Sequence, residues 1–422
     1  MKILFISVND ELGVETPFPL GLACVAAATE KAGHDVQLLT PISTSDPESS
    51  VREGIKGTRP QVIGVSVRNI DDQNMQAPRF LLEPLRRVVA VCRSLSGARI
   101  VLGGAGYSIF PESVLTYLGA DMGIQGEGES AFPRLLSWLE RGAEGGPPSV
   151  YLPGRPPAAR DFAANLDAFP MPAPRLWLNT VHNSDIRVPV QSRRGCPLDC
   201  AYCSTSAIEG RSFRKRSRES VVEWLREMRE SGFRNFYFVD NAFNLSPSYA
   251  KELCREIIRA QLDIDWWSIV YPKWVDVELA SLMAKAGCTQ VSLGFESGSE
   301  PILKQLNKRF TCREVRAVSA TLSDAGIKRN GFLLLGGPAE TRDTVEESLA
   351  FADSLDLHAL KVTVGLRIYP NTALASRAVA EGVIRPDDNL LRPRFYLAHG
   401  LEDWLPDRIA AWERNPASAT AN

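Results

Sequence analysis

The sequence predicts an α/β protein of two domains: a parallel sheet wrapped by helices, then an open or partial barrel of six βα units. Three observations predict it. Short apolar runs alternate with helical patterns over residues 1–140. A connector then breaks the pattern, with eight prolines between Pro147 and Pro174. From Val188 onward a second alternation supplies six further strand candidates. At roughly 150 residues per domain, a chain of 422 residues has room for both. The boundaries expected are 1–140 for the first domain, 141–187 for the linker, 188–390 for the barrel and 391–422 for a C-terminal tail.

In the first domain, Lys2-to-Val8, Val36-to-Leu39, Val62-to-Val67, Ile100-to-Leu102 and Met122-to-Ile124 read as buried strands. Leu20-to-Lys31 and Arg79-to-Leu95 carry helical spacing. Two strands run into glycine-rich turns, Gly103-Gly104-Ala105-Gly106 and Gln125-Gly126-Glu127-Gly128-Glu129. Glycine lets backbone amides approach a phosphate, an amide or a flat cofactor, and ligands of parallel sheets gather at strand carboxyl ends. In the second domain the strands expected are Val188-to-Gln191, Asn235-to-Val239, Ile264-to-Ile269, Gln290-to-Phe295, Gly331-to-Leu335 and Val362-to-Ile368. Helices are expected over Ser217-to-Ser231, Ser246-to-Ala260, Asp276-to-Gly287, Thr311-to-Gly326 and Thr341-to-Leu355.

Composition narrows the function. Lysine plus arginine (48) nearly balances aspartate plus glutamate (50), leaving a net charge of −2. No global field draws the chain to nucleic acid, which makes a small molecule or peptide the expected substrate. The opening MKILFISVND is too short for a signal-peptide core, and no apolar window approaches about 18 residues. A cytoplasmic protein without a membrane partner is expected. Arg211, Arg214, Lys215, Arg216 and Arg218 form a basic stretch, read either as a solvated face or as a cap for an anionic substrate group.

Eight cysteines are present, and three of them, Cys196, Cys200 and Cys203, fall within eight residues. The other five lie singly in apolar or helical patterns and read as small buried hydrophobes. The spacing C-x3-C-x2-C puts soft thiolates in one loop after a strand. Three such ligands suit a four-iron cluster with one iron left open, whereas a closed zinc site wants four. No other cysteine is near in sequence, and the nearest histidine is His182.

Arg194-Gly195-Cys196-Pro197-Leu198-Asp199-Cys200-Ala201-Tyr202-Cys203 resembles the signature of radical S-adenosylmethionine (SAM) enzymes. The resemblance implies a [4Fe–4S] cluster on Cys196, Cys200 and Cys203, with SAM chelating the open iron, and an external electron donor. It also implies SAM contacts from Tyr202, from Asp240 and Asn241 after the next strand, and from Glu296 and Ser297 in V-S-L-G-F-E-S-G. Leu335 and Gly336 in L-G-G-P-A-E, and Arg367 in the last strand, complete that set. Ala339 departs from the family, where glycine is commoner.

The order of domains is similar to the cobalamin-binding class of these enzymes, down to the segment Asn165-Leu166-Asp167-Ala168-Phe169-Pro170 between them. The class implies a Rossmann-like cobalamin-binding domain, with Asn9, Leu12, Ser66, Arg68, Gly103, Gly104, Gln125, Gly126 and Glu127 around the corrin. The first loop has no D-x-H-x-x-G, so no histidine is expected on cobalt, and Arg68 is the residue expected against the lower face. The activity implied is methylation of an unactivated carbon. A cobalamin-dependent cyclisation or rearrangement, a radical SAM enzyme without cobalamin, and a non-catalytic cobalamin-binding sensor are the alternatives.

Overall fold

The computed structural model describes residues 1–8, 18–40, 46–142, 146–155, 160–178 and 186–413. Among the described residues no helix is long and apolar enough to cross a membrane. The chain divides into two compact units. One comprises Met1–Asp72, Arg79–Ile186 and Ser204–Arg216, the other Gln73–Pro78, Arg187–Cys203 and Ser217–Asn422.

The first unit is built on β1 (Lys2–Ser7), β2 (Asp35–Leu39), β3 (Val62–Ser66), β4 (Arg99–Gly103), β5 (Met122–Ile124) and β6 (Val150–Tyr151). Their order is β2-β1-β3-β4-β5-β6, parallel except for β6, which pairs antiparallel with β5. Ile3, Leu4, Phe5 and Ile6 run as an unbroken apolar stretch because helices cover both faces of a parallel sheet. Helix Leu20–Lys31 packs on helix Gly128–Arg141, and helix Pro47–Thr58 on helix Leu82–Leu95. Ile3, Phe5, Val62, Val101, Met122 and Phe132 form the centre of the core. The chain order reverses between β1 and β3, which is where parallel sheets open a crevice for a ligand.

Several elements of this unit go beyond the expected set, among them the helices Pro47–Thr58, Pro111–Leu118 and Gly128–Arg141 and the strand β6. Helix Pro47–Thr58 has few apolar residues, but Asp46 caps it by accepting from the Ser49 amide at 3.1 Å. Strand β6 lies inside the proline-rich stretch. There the Gln125 amide donates to the Ser149 carbonyl at 3.0 Å, which helps hold Val150 and Tyr151 against β5.

The second unit carries β7 (Val188–Val190) and the short β8 (Arg193–Arg194), while the equally short β9 (Arg214–Lys215) falls in the first. The main sheet of the second unit continues with β10 (Asn235–Phe238), β11 (Asp265–Val270), β12 (Cys288–Glu296), β13 (Lys328–Leu335) and β14 (Ala359–Val364). The order β14-β13-β12-β11-β10-β7 is wholly parallel, the partial barrel that the second alternation predicts. Helices Arg218–Glu230, Pro247–Ala260, Val277–Lys285, Cys312–Asp324 and Arg342–Asp353 fall on the expected segments. Phe238, Phe243 and Trp266 fill the core near its opening strands, with centroids 5.0–5.2 Å apart.

The last expected strand is broken in two. Gly365 takes φ +75°, so the chain turns after β14, and β15 (Leu366–Arg367) pairs antiparallel with β16 (Phe395–Tyr396). The sulfur of Met75, in the Gln73–Pro78 excursion, lies where a Cβ on Gly365 would stand. Within residues 391–413, Leu401 and Leu405 are buried.

Candidate active site

The cysteine loop is fastened at both ends. At its entrance, the Asp240 carboxylate accepts from the Ser192 amide (2.9 Å), the Ser192 hydroxyl (2.5 Å) and the Arg193 amide (3.1 Å). Asp240 is fully buried, and burial raises its pKa against the opposing pull of Arg193. The Arg193 guanidinium in turn donates to the Ala242 carbonyl. Oδ1 of Asp240 thus holds the two amides leading out of β7, and Oδ2 the Ser192 hydroxyl. Asp240, expected on SAM, here bolts β7 to the end of β10; Asn241 beside it is half-buried.

Farther along, four successive residues, Leu306 to Arg309, bond to the loop. The Leu306 carbonyl accepts from the Ala201 amide at 3.0 Å. Asn307 Nδ2 donates to the Asp199 carbonyl at 2.9 Å, Lys308 Nζ to Tyr202 Oη at 2.9 Å, and Arg309 Nη2 to Asp199 Oδ1 at 2.6 Å. The Leu374 amide adds a bond to the Ala201 carbonyl at 2.8 Å. Cys196, Cys200 and Cys203 are half-buried thiols. Burial pushes the Cys200 thiol up; Cys203, Glu296 and Cys196 push the same way, and Lys308 pulls it down. Among the described residues no three His, Cys, Asp or Glu side chains already stand together as a metal site, so the three thiols share a loop and not a formed cage. Cys24, Cys92, Cys254 and Cys288 are buried as expected of core residues; Cys312 is half-buried, its thiol donating to the Gly298 carbonyl at 3.2 Å.

Glu296 ends β12 next to a register shift against β13 and takes φ +63°. Such an irregularity re-aims a side chain. Here the carboxylate accepts from Tyr202 Oη at 3.0 Å and from Lys308 Nζ at 3.2 Å. The Lys308 side chain is only 5% exposed. Burial works against its charge, but Glu296, Tyr202 and Cys200 hold its pKa well above the ordinary lysine value. For Tyr202, burial and then Glu296 push the phenol well up.

Ser297 points elsewhere: its hydroxyl bonds Ser348 Oγ at 3.0 Å and accepts from the Ser299 amide at 3.1 Å, fully buried. Instead of facing a ligand, it joins β12 to the Arg342–Asp353 helix. Leu335 closes β13, buried, and Gly336 follows with φ +92°, a conformation that favours glycine. Its amide and that of Gly337 donate to Glu340 Oε2 at 2.5 and 2.8 Å. Burial raises the Glu340 carboxyl to about 7. Ala339, where the family favours glycine, takes φ +63°. Arg367 also departs from expectation. Its guanidinium donates to the Ile368 and Leu390 carbonyls at 2.6 and 2.8 Å, which ties the turn after β14 to the C-terminal segment.

In the first unit, Asn9 and Leu12 lie outside the described residues. Ser66 is the last residue of β3, in register with Gly103 on β4, and Arg68 stands half-buried just beyond. A Cβ on Gly103 would meet open space, whereas one on Gly104 would lie 2.6 Å from the Val67 carbonyl oxygen. Gly104 therefore lets the next helix sit against the loop after β3, and Gly103 leaves the strand end open. Gln125 donates to the Ser108 carbonyl at 2.9 Å, and the Gly126 amide to Ser108 Oγ at 3.0 Å. Glu127, expected near the corrin, pairs with Arg214 Nη1 at 2.5 Å and accepts from the Ala163 amide at 2.8 Å. Both partners of that ion pair are buried.

The basic stretch resolves accordingly. Arg214 and Arg216 point inward, Lys215 and Arg211 outward. Arg216 donates to the Leu166 and Phe169 carbonyls at 2.8 and 2.9 Å, holding the Leu166-to-Phe169 segment. Neither a continuous solvated face nor a substrate cap describes it.

Comparison with known proteins agrees with this geometry. Residues 12–136 match the B12 binding domain and residues 190–352 the Radical SAM superfamily. The chain belongs to the cobalamin-binding radical SAM enzymes. An uncharacterized methyltransferase of Pyrococcus horikoshii is 27% identical over 402 residues, covering 91% of this chain and 84% of its own. The tryptophan 2-C-methyltransferase of Streptomyces laurentii is 24% identical, over 86% of this chain and 72% of its own. Among solved structures, the radical SAM methyltransferase TsrM of Kitasatospora setae superposes with a TM-score of 0.84 at 22% identity. That superposition covers 99% of this chain and 90% of TsrM.

For a radical SAM enzyme the donor set fits a [4Fe–4S] cluster: three thiols share one loop, and that loop is fixed by Asp240 at its start and by residues 306–309 along its length. The residue that sequence reading missed is Lys308. Between Lys304 and Arg309 it looks like one more surface charge, and only its position behind Tyr202 and Glu296 reveals it.

Proposed function

We propose that this chain is a cobalamin-dependent radical SAM enzyme that methylates carbon in a small-molecule substrate. The observation that carries the proposal is the loop of three thiols backed by the buried Tyr202–Glu296–Lys308 group, in a chain that also contains a B12-binding domain. Cys196, Cys200 and Cys203 hold the cluster, and Tyr202, Glu296 and the Leu335–Gly336 turn line the SAM side. Ser66, Arg68 and Gly103 stand at the strand ends where cobalamin binds. When bound, the cluster and SAM supply reductive cleavage of a carbon–sulfur bond, and cobalamin supplies a methyl carrier. The chain's own part is positional: Asp240 and Arg193 set the entrance of the loop, and residues 306–309 set its inner face. An external low-potential protein supplies the electron.

The names of the relatives support methylation, and they point to small substrates such as tryptophan. A second reading, cyclisation, has the support of the anaerobic magnesium-protoporphyrin IX monomethyl ester cyclase of Rubrivivax gelatinosus, 25% identical over 83% of this chain. Anaerobic reconstitution with iron, sulfide, cobalamin and SAM tests both. Bound cluster and corrin, with S-adenosylhomocysteine formed under reducing conditions, is the result expected. Cluster and corrin without S-adenosylhomocysteine favours cyclisation. A C196A/C200A/C203A variant that retains normal iron and sulfide overturns the assignment of the cluster.

A further inference from the structure

Lys308 is neither a cluster ligand nor a SAM contact in the proposed function, yet the structure builds a site around it. Its ammonium is buried, and two of its three donors are engaged, one to Tyr202 Oη at 2.9 Å and one to Glu296 Oε1 at 3.2 Å. The ammonium also stands 5.1 Å from the centroid of the Tyr202 ring and 5.9 Å from that of Phe310. These contacts leave the charge little freedom to swing out to water. On either side, Asn307 and Arg309 grip Asp199, inside the cysteine loop itself. The segment thus clamps the loop with two residues and sets a cation beside it with the third.

The electrostatic demand at this place is one-sided. The cluster assigned to Cys196, Cys200 and Cys203 would bring three thiolates to the loop whose Tyr202 bonds the Glu296 carboxylate, and reduction of a cluster by one electron adds another negative charge. A cation held in a partly desolvated site stabilises the reduced form more than the oxidised form.

We propose that Lys308 is a positioning residue that sets the reduction potential of the cluster, its fixed charge offsetting the negative charge gained when a low-potential one-electron carrier reduces the centre. The proposal rests on the assignment of the cluster to Cys196, Cys200 and Cys203. Glu296 and Tyr202 then serve a second purpose, which is to hold the ammonium in place. Arginine at 308 preserves the charge, and methionine preserves most of the volume without it.

An anaerobic redox titration of reconstituted protein, followed by electron paramagnetic resonance of the reduced cluster, tests the proposal. Lys308→Met should move the midpoint to a more negative value, lowering the reduced-to-oxidised ratio at a fixed potential about tenfold. Lys308→Arg should titrate close to the unmodified protein, and Glu296→Gln should move the midpoint the other way. Lys308→Met with full iron and sulfide at an unchanged midpoint overturns the role of Lys308 and leaves the functional reading standing. If Lys308→Met takes up no cluster, Lys308→Gln decides: a more negative midpoint supports the proposal, and an unchanged one overturns it. Unmodified protein that takes up no cluster overturns the functional reading itself.

Discussion

Glu340→Gln should abolish a pH dependence of stability that the structure builds into the turn after β13. Glu340 is 3% exposed, and its Oε2 accepts from the Gly336 and Gly337 amides, while its Oε1 has no partner among the described residues. Burial raises the carboxyl from 4.5 to about 7. The folded state therefore holds this proton over a range in which the unfolded chain has released it. The contribution of this carboxyl to stability is greatest below pH ~4.5 and falls as pH rises toward 7, because the unfolded state then binds fewer protons. At 1.36 kcal/mol per unit, the loss at pH 8 is about 3 kcal/mol. Glutamine is neutral throughout, and its carbonyl can accept both amides as Oε2 does. Urea unfolding of the full chain, with amide exchange read on a peptide spanning 331–341, checks the effect locally. The variant should match the parent within about 1 kcal/mol at pH 5 and exceed it by up to about 3 kcal/mol at pH 8. An equal difference between variant and parent at both pH values refutes the linkage.

Two further substitutions test the supports of the site. Glu127→Ala leaves Arg214 buried without its counter-charge and should destabilise the first unit by about 3–5 kcal/mol, read as a lower urea midpoint, with partial recovery in the E127A/R214M double variant. Ala339→Gly removes a left-handed alanine and should raise stability by about 0.5–1 kcal/mol, visible as a higher Tm with the site chemistry intact.

The ligand loop and the sheet were legible in the sequence because both are local. C-x3-C-x2-C needs only about ten residues of chain, and each βα unit announces itself by the period of its apolar residues. The residues flanking the loop were legible by position but not by role. Asp240, Ser297 and Arg367 sit at the strand ends where they were expected, yet each has its polar atoms turned to other parts of the protein. At a strand end, a side chain that contacts a ligand and one that braces the backbone have the same spacing. What separates them is which partner lies opposite, and Asp240 meets its partners 47 and 48 residues back along the chain.

The same holds for charge. A basic run such as Arg214-Lys215-Arg216 has no sign in sequence of its alternation, inward then outward, until β9 is formed and Glu127, 87 residues earlier, is brought to Arg214. Sequence by itself determined the cofactor chemistry, since a three-thiolate donor set and two alternating domains are properties of short segments. Tertiary structure alone decided that Glu127 pairs with Arg214 in the interior, that Arg214 and Arg216 tie down a connector, and that Lys308 lies behind the cysteine loop. Those are pairings of charges far apart in the chain, and burial alone makes such pairings obligatory: an ammonium or carboxylate removed from water must find its counter-charge wherever the fold has placed it.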